Sequence, residues 1–408
     1  MNLPSNHLND VQNTTINENV RILCFTDYYL PGFRAGGPIK TISNFVDQLG
    51  DEFEIRIITR DRDVLDSQSY KNVLVDCWNT VGKAQVFYCS RSLMSLNKIA
   101  KLLLETPHDV LYLNSFFSVQ FTILPLIARK LGLSPKKPCV IAPRGELSSG
   151  ALAIKTWKKS PYLFVARALA LYQDSHWQAS SSFEKMDIQE TLGKLAKQIS
   201  IAPDLPPLLK KCKLKESRIR PNLQESLKLI YLSRISPMKN LDFLLRVLSQ
   251  INGPLQLSIY GPLEDSEYWS KCEELLKELP SSIEVSYLGE VQPENVQKVF
   301  GQYDLFVLPT RGENFGHVVL ESLSAGTPVL LSDRTSWKPD PEGALEVLPL
   351  VESKWGAAID SWARTEDVVL QKRRRAAVAY ASSIMDNPLT VQQNRLLFKN
   401  ILFRFSKK

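Results

Sequence analysis

The chain has 408 residues, of which 44% are hydrophobic and 23% charged, and its formal net charge is +7. This length exceeds one ordinary core and predicts two domains, while the composition is typical of a soluble globular protein and excludes a disordered or membrane-spanning one. The polar, Asn-rich residues 1–19 lack the basic and apolar regions of a signal peptide, and we expect a disordered tail.

The six cysteines are scattered without CxxC or Cys/His spacing, and the four histidines are dispersed. This pattern predicts no metal site and indicates a reducing compartment, so we expect a cytoplasmic protein. The modest positive charge permits contact with phosphorylated ligands or anionic lipid but does not argue for nucleic acid. Peripheral contact with the inner face of the membrane, through a basic first domain, stays open.

The first predicted unit is a buried strand over residues 21–27, followed by a glycine-rich turn and an amphipathic helix. Gly36 and Gly37 precede Pro38, which suits the first turn of a helix. A strand, a glycine turn and a helix N-terminus form an arrangement that can approach a phosphate. The turn is not a GxGxxG fingerprint, which disfavours a nicotinamide-dependent oxidoreductase.

Strand and helix patterns then alternate along the first half of the chain. The strands are predicted at residues 53–60, 84–89, 110–115 and 139–145, and helices at 92–105 and 121–132. This alternation predicts a doubly wound parallel sheet, in which ligands bind outside the carboxyl ends of the strands. Asn114, Arg144 and Glu146 lie at such ends and are therefore candidate ligand-binding residues.

Two later segments of this half carry further signals. Lys155, Lys158 and Lys159 surround Trp157, and this group is either a solvated helix face or a contact with an anionic membrane or an acceptor. Residues 175–193 predict a strand and a helix whose start is capped by serines 180–182.

Residues 206–226 are basic and contain prolines, and this change in composition predicts a linker. It separates a first domain, residues 20–205, from a second domain, residues 227–384. The last segment, residues 385–408, predicts an amphipathic basic helix that packs back on the first domain.

The second domain opens with a strand ending near Arg234, and Lys239 follows beside the start of an apolar-striped helix. A guanidinium offers a planar fork and an ammonium a point charge, so the pair predicts a clamp for a diphosphate.

Residues 305–333 form the most informative stretch, since they read as strand, loop, helix and strand. Glu313 and Glu321 are eight residues apart, a rise of roughly 12 Å if helical. That separation is too long for the paired carboxylates of a retaining glycosidase, which lie about 5 Å apart. It suits an elongated, hydroxyl-rich ligand gripped at two places, with free backbone N–H groups in the loop Asn314-Phe315-Gly316.

Glu313, Glu321, the loop between them and the ending Ala325-Gly326-Thr327-Pro328-Val329 resemble the E-x7-E signature of retaining family 4 glycosyltransferases, within the glycosyl transferases group 1. The resemblance extends from about residue 21 to the end of the chain. It implies a GT-B fold: two Rossmann-like domains of doubly wound parallel sheets facing a central cleft, with a C-terminal helix crossing back to the first domain.

The resemblance also implies transfer of a sugar, with retention, from a UDP-, GDP- or ADP-sugar to a glycan or lipid-linked acceptor, as in surface polysaccharide synthesis. Arg234, Lys239 and Glu313 are the implied catalytic residues, without a metal or other cofactor. The implied donor-binding residues are Gly36, Gly37, Arg234, Lys239, Asn314, Phe315, Gly316 and Glu321. The implied acceptor-binding residues are Arg34, Asn114, Arg144 and Glu146.

This sequence departs from the family pattern at two positions. Ser233 replaces the usual glycine, and Arg144 is present instead of the histidine that many relatives have near this position. Two alternatives to a transferase also stay open. A sugar-nucleotide epimerase would share the two-domain sheets, and a non-enzymatic nucleic-acid binder would show a clustered basic and aromatic surface with steep salt dependence.

Overall fold

The computed structural model describes residues 19–154, 156–208 and 226–407. The predicted tail lies almost wholly outside these residues, as do Lys155 and most of the predicted linker. Within them the chain folds into two α/β units, each built on its own sheet.

The first unit contains an eight-stranded sheet in the order β3-β4-β2-β1-β5-β6-β7-β8, parallel except for β3, which is antiparallel to β4. Its strands are β1 Val20–Thr26, β2 Phe53–Arg60, β3 Trp78–Val81, β4 Ala84–Cys89, β5 Val110–Asn114, β6 Cys139–Ala142, β7 Ser175–Ala179 and β8 Ile199–Ile201. Its helices are α1 Gly37–Leu49, α2 Leu96–Glu105, α3 Leu124–Lys130, α4 Ser149–Ala153, α5 Thr156–Ala168 and α6 Ser182–Leu192.

The second unit contains a six-stranded parallel sheet in the order β11-β10-β9-β12-β13-β14. Its strands are β9 Leu227–Leu232, β10 Leu255–Tyr260, β11 Ile283–Tyr287, β12 Leu305–Leu308, β13 Val329–Ser332 and β14 Leu345–Leu348. The helices that follow are α7 Leu241–Leu248, α8 Ser266–Lys277, α9 Val296–Phe300, α10 His317–Ser324, α11 Glu352–Ala363, α12 Asp367–Met385 and α13 Pro388–Ser406.

Buried aliphatic and aromatic side chains on both faces of each sheet form the cores. This double burial explains why the central strands read as continuous apolar runs rather than as alternating ones. The predicted doubly wound parallel sheets are therefore confirmed.

The predicted return of the C-terminal helix is also confirmed. Phe398 of α13 packs against Phe45 and Tyr112 of the first unit, with ring centroids 5.5 and 5.2 Å apart. Arg395 of the same helix donates from Nε to Glu52 at 2.6 Å.

Local differences from the prediction have physical causes. Strand β6 stops at Ala142, because Pro143 lacks an N–H and Arg144 has φ of 56°, so Arg144 lies in the turn beyond the strand. The helix predicted over residues 121–132 begins as a π-turn, Val119–Ile123, capped by Ser118, whose Oγ accepts from the N–H of Phe121 at 3.2 Å.

The predicted serine cap of α6 is confirmed. Ser181 Oγ accepts from the N–H of Glu184 at 3.2 Å, which satisfies one open N–H of the first turn. The Glu184 carboxylate in turn accepts from the N–H groups of Ser180 at 2.7 Å and Gly145 at 2.6 Å. Glu184 thereby fixes the loop after β6 to the start of α6.

Candidate functional site

A cleft separates the two units at the carboxyl ends of both sheets, where doubly wound folds bind ligands. It has two lobes, which share Gly37, Lys239, Arg234, Glu313 and several neighbours. The first lobe, of about 180 Å³, extends from this junction to Glu321. The second lobe, of about 400 Å³, extends to Arg144 and Glu146.

The glycine turn between β1 and α1 forms the first unit's wall of the first lobe. Gly36 has φ of 67°, and a Cβ there would meet no atom within 4 Å. Asp63 holds the turn by accepting from the N–H groups of Phe33 at 2.7 Å and Arg34 at 3.1 Å. Asp63 therefore fixes the backbone of the turn, while Gly36 faces open space.

Arg34 bridges the two units. Its Nε donates to Glu290 of the second unit at 2.8 Å, and Nη1 donates to Asp66 at 2.5 Å. The sequence grouped Arg34 with the acceptor residues of the second lobe, but the structure places it on the first lobe.

The two predicted clamp cations lie at the junction of the lobes, each with a carboxylate partner. Lys239 is buried, and its Nζ donates to Glu313 at 2.5 Å. Arg234 donates from Nη1 to Glu264 at 2.7 Å. The second unit thus presents two positive charges to the cleft, each paired with a carboxylate.

Backbone packing positions Arg234. A Cβ on Gly261 would lie 1.8 Å from the carbonyl oxygen of Ser233, so the turns after β9 and β10 approach as closely as glycine allows.

Glu321, on α10, faces the first lobe. One carboxylate oxygen pairs with Lys40 of α1, across the cleft. The other oxygen, Oε2, is buried and has no hydrogen-bond partner among the residues that the structure describes. A buried carboxylate oxygen without a donor is costly, which makes it a strong acceptor for a ligand hydroxyl.

The loop before α10 joins the units. Asn314 accepts from Ser180 Oγ at 2.5 Å and donates to Asp204 at 2.9 Å. Gly316 has φ of 73°, and a Cβ there would lie 2.9 Å from Cγ of Glu313. The loop geometry therefore requires glycine, and the Asn314 side chain contacts the first unit.

Arg144 organises the second lobe from a largely buried position. Its guanidinium pairs with Asp204, contacts the hydroxyl of Tyr112 and donates to Asn114 Oδ1 at 2.7 Å. Asn114 does not line the lobe, so the structure makes it a positioning partner of Arg144.

Glu146 lines the second lobe but holds protein groups. Its carboxylate accepts from the N–H groups of Phe116 at 2.5 Å and Phe117 at 3.0 Å, and from Ser115 Oγ at 2.9 Å. Burial raises the pKa of Glu146 above its usual value, although these hydrogen bonds oppose the rise.

The sequence reasoning missed His317, which lies inside the signature stretch. It is buried, with Nε2 2.9 Å from Oγ1 of Thr41 in the first unit. Burial lowers its pKa to about 3, and the charges of Lys40 and Arg144 add to the effect. His317 is therefore neutral at ordinary pH and joins the two units.

Asp187, on α6, lines the second lobe and was also missed. Burial raises its pKa to about 6, with further contributions from Glu184 and Glu190. No motif marks this residue in the sequence. Among the described residues, no group of three or more His, Cys, Asp or Glu side chains could hold a metal ion.

Residues 214–340 match the family model described as Glycosyl transferases group 1. An uncharacterized 41.2 kDa protein in the cps region of Klebsiella pneumoniae is 25% identical over 60% of this chain and 67% of its own length. The O-antigen chain mannosyltransferase B of Escherichia coli is 32% identical over 26% of this chain and 29% of its own length. The chain thus carries a glycosyl transferases group 1 domain.

A solved structure of Anabaena Alr3699/HepE in complex with UDP-glucose superimposes with a TM-score of 0.66. The superposition covers 96% of this chain and 100% of that one at 16% sequence identity. This likeness shows the fold, and the GT-B architecture implied by the sequence is confirmed. None of the helices described here is both long and apolar enough to cross a bilayer.

Proposed function

We propose that this chain is a retaining glycosyltransferase that moves a sugar from a nucleoside diphosphate sugar to a hydroxyl of a glycan or lipid-linked acceptor. The observation that carries the proposal is the order of groups along the cleft. Glu321, whose Oε2 has no hydrogen-bond partner within the described part of the chain, lies in the first lobe, and Lys239, Arg234 and Glu313 lie at the junction.

This order matches the parts of a nucleotide sugar. Glu321 would accept hydrogen bonds from the ribose hydroxyls, and ribose binding would replace its ion pair with Lys40. Arg234 and Lys239 would contact the diphosphate, while Glu313 would hold hydroxyls of the transferred sugar at the entrance to the second lobe. The structural neighbour HepE, which was solved in complex with UDP-glucose, supports a donor of this class.

The reaction then depends on positioning and on charge stabilisation. As the bond between the sugar and the diphosphate breaks, negative charge develops on the leaving phosphate, and the two cations at the junction stabilise it. Preorganised charges of this kind are worth about 10²-fold or more in rate. Because the protein supplies these cations, we expect transfer without a metal ion, which activity in the presence of EDTA would test.

We propose retention of configuration at the sugar, and inversion is the alternative to be tested against it. The leaving phosphate would accept the acceptor's proton on the same face, so no carboxylate need attack the sugar. Asp187, with its raised pKa, is placed on the second lobe as a general base would be in an inverting enzyme. Proton NMR of the first-formed product decides between them: an α-linked donor should give an α-linked product, and a β-linkage would overturn retention.

Two of the relatives support a role in polysaccharide assembly. A mannosyltransferase of an O-antigen chain and a protein of a cps region are among them, and we propose a surface polysaccharide as the destination of the sugar. The first test is acceptor-dependent release of nucleoside diphosphate from UDP-, GDP- and ADP-sugars. Conversion of the sugar nucleotide without any acceptor would instead favour the epimerase.

A further inference from the structure

Helix α5 exposes an apolar face that the proposed reaction does not use. Trp157 is 73% exposed and Phe164 74% exposed, and Val165 and Leu169 are also exposed. Trp157 and Phe164 are seven positions apart, about two turns, so they lie on one side of the helix, and Val165 and Leu169 border them. We call Trp157, Phe164, Val165 and Leu169 the α5 surface.

The opposite side of α5 is anchored in the first unit. Ala166 is buried, and Tyr162 and Leu163 pack partly buried against the core. The hydroxyl of Tyr162 contacts that of Tyr172, and Arg167 donates to the carbonyl of Thr191 on α6. The helix therefore keeps its apolar face outward because its other face is already committed.

The segment of the sequence that contains the α5 surface is basic. Between Glu146 and Asp174 the sequence has no acidic residue and four basic ones. Lys130, at the end of α3, donates to the carbonyl of Leu169, which brings a further cation beside the surface. Next to Lys130, Leu131 is exposed as well and extends the apolar area.

An exposed apolar face containing Trp and Phe within a purely basic segment is the pattern that binds anionic lipid surfaces. The apolar side chains enter the boundary between headgroups and acyl chains, and the cations pair with lipid phosphates. We propose that the α5 surface docks this chain on an anionic membrane.

The location connects this surface to the cleft. Helix α4, which directly precedes α5, lines the second lobe through Ser149 and Ala151. Lys159 of α5 donates from Nζ to the carbonyl of Ala151 at 2.5 Å, which ties the two helices together. If the proposed function holds, the acceptor lobe opens beside the membrane, but docking itself does not depend on transfer.

The test is co-sedimentation of the full chain with vesicles of phosphatidylcholine and phosphatidylglycerol in equal amounts. Wild-type protein should bind them, and Trp157→Ser/Phe164→Ser should reduce partitioning roughly tenfold or more, since two large side chains lose their burial. The matched control is Val368→Ser/Leu389→Ser, which removes apolar side chains that are 78% and 62% exposed elsewhere. It should bind like wild type.

Nucleotide-dependent thermal shifts in all three proteins check that the fold and the cleft are intact, so a failed donor site is distinguished from failed docking. Equal binding by wild type and Trp157→Ser/Phe164→Ser would overturn the proposal, as would absence of vesicle binding. Equal binding to pure phosphatidylcholine would overturn the role of anionic lipid. If wild type instead forms a dimer that Trp157→Ser/Phe164→Ser disrupts and the control variant does not, and wild type does not bind vesicles, the α5 surface contacts a second copy of the chain. That result would also overturn the proposal.

Discussion

His317 couples the stability of the folded chain to pH, and replacing it with glutamine removes that coupling. The imidazole is buried beside Lys40 and Arg144, and its pKa is lowered to about 3 in the folded chain, against about 6.5 when unfolded. Glutamine is neutral at every pH and retains an amide that can bond Thr41. The variant therefore changes the titration with little change in shape.

The magnitude follows from these two pKa values. Above about pH 6.5 the histidine is neutral in both states, and its contribution is fully present. As pH falls from about 6.5 toward 3, only the unfolded chain takes up the proton, so the free energy of unfolding falls by about 1.4 kcal/mol per pH unit. At about pH 5 the loss relative to neutral pH is about 2 kcal/mol.

Urea unfolding at about pH 7.5 and about pH 5 measures this difference. The drop in unfolding free energy should be about 2 kcal/mol smaller in His317→Gln than in wild type. Other buried histidines, whose titration is common to both proteins, cancel in the comparison. Thr41→Val is the control, because it removes the hydrogen bond but leaves the titration, so its effect should be about equal at both pH values. An unchanged pH dependence in His317→Gln would refute the reasoning.

Three further substitutions test the cleft. Lys239→Ala should slow acceptor-dependent nucleotide release by roughly 10²-fold. A wild-type rate would remove this lysine from the reaction. Gly150→Ala places a Cβ 2.4 Å from the carbonyl oxygen of Arg311, in the other unit. The packing of the two units against each other should therefore lose about 1–3 kcal/mol of stability, and X-ray scattering should show a larger radius of gyration. Unchanged scattering and stability would contradict the contact. Lys40→Met frees Glu321 from its ion pair and should tighten nucleotide binding roughly two- to fivefold in calorimetry. Weaker binding would mean that Lys40 itself contacts the donor.

Much of the fold could be predicted because its signals are local. The strands predicted at residues 53–60 and 84–89 coincide with β2 and β4 as observed, since buried apolar side chains recur along both segments. The edge strands β3 and β14 were not predicted. Both are four residues long, and β3 has only half-buried or exposed positions, so neither gives a continuous apolar run.

The site was predictable only in part, for a related reason. The glycine turn, the two cations and the two glutamates carry local patterns, and the structure brings them to one cleft. The contacts between the units carry no such local pattern. Arg34 with Glu290 and Lys40 with Glu321 are pairs of residues more than two hundred positions apart. Such pairs depend on how the two units close, which no local pattern records.

The burial of Asn114 shows the same limit. Its place at the end of β5 marked it as a ligand-binding candidate, and its exposure could be known only from the packed structure. The acceptor assignments of Arg34, Asn114, Arg144 and Glu146 stay predictions, and of these four Arg144 and Glu146 line the second lobe.

Isothermal titration of UDP, GDP, ADP and NAD tests the central claim, that Glu321 and the junction cations form a nucleotide-sugar site. The account predicts that wild type binds one nucleoside diphosphate and that Glu321→Ala weakens this binding roughly tenfold or more, as expected when a ribose loses its acceptor. Glu274→Ala, an exposed helical glutamate of the second unit, should bind like wild type. Unchanged affinity in Glu321→Ala, or binding of NAD alone, would contradict the account.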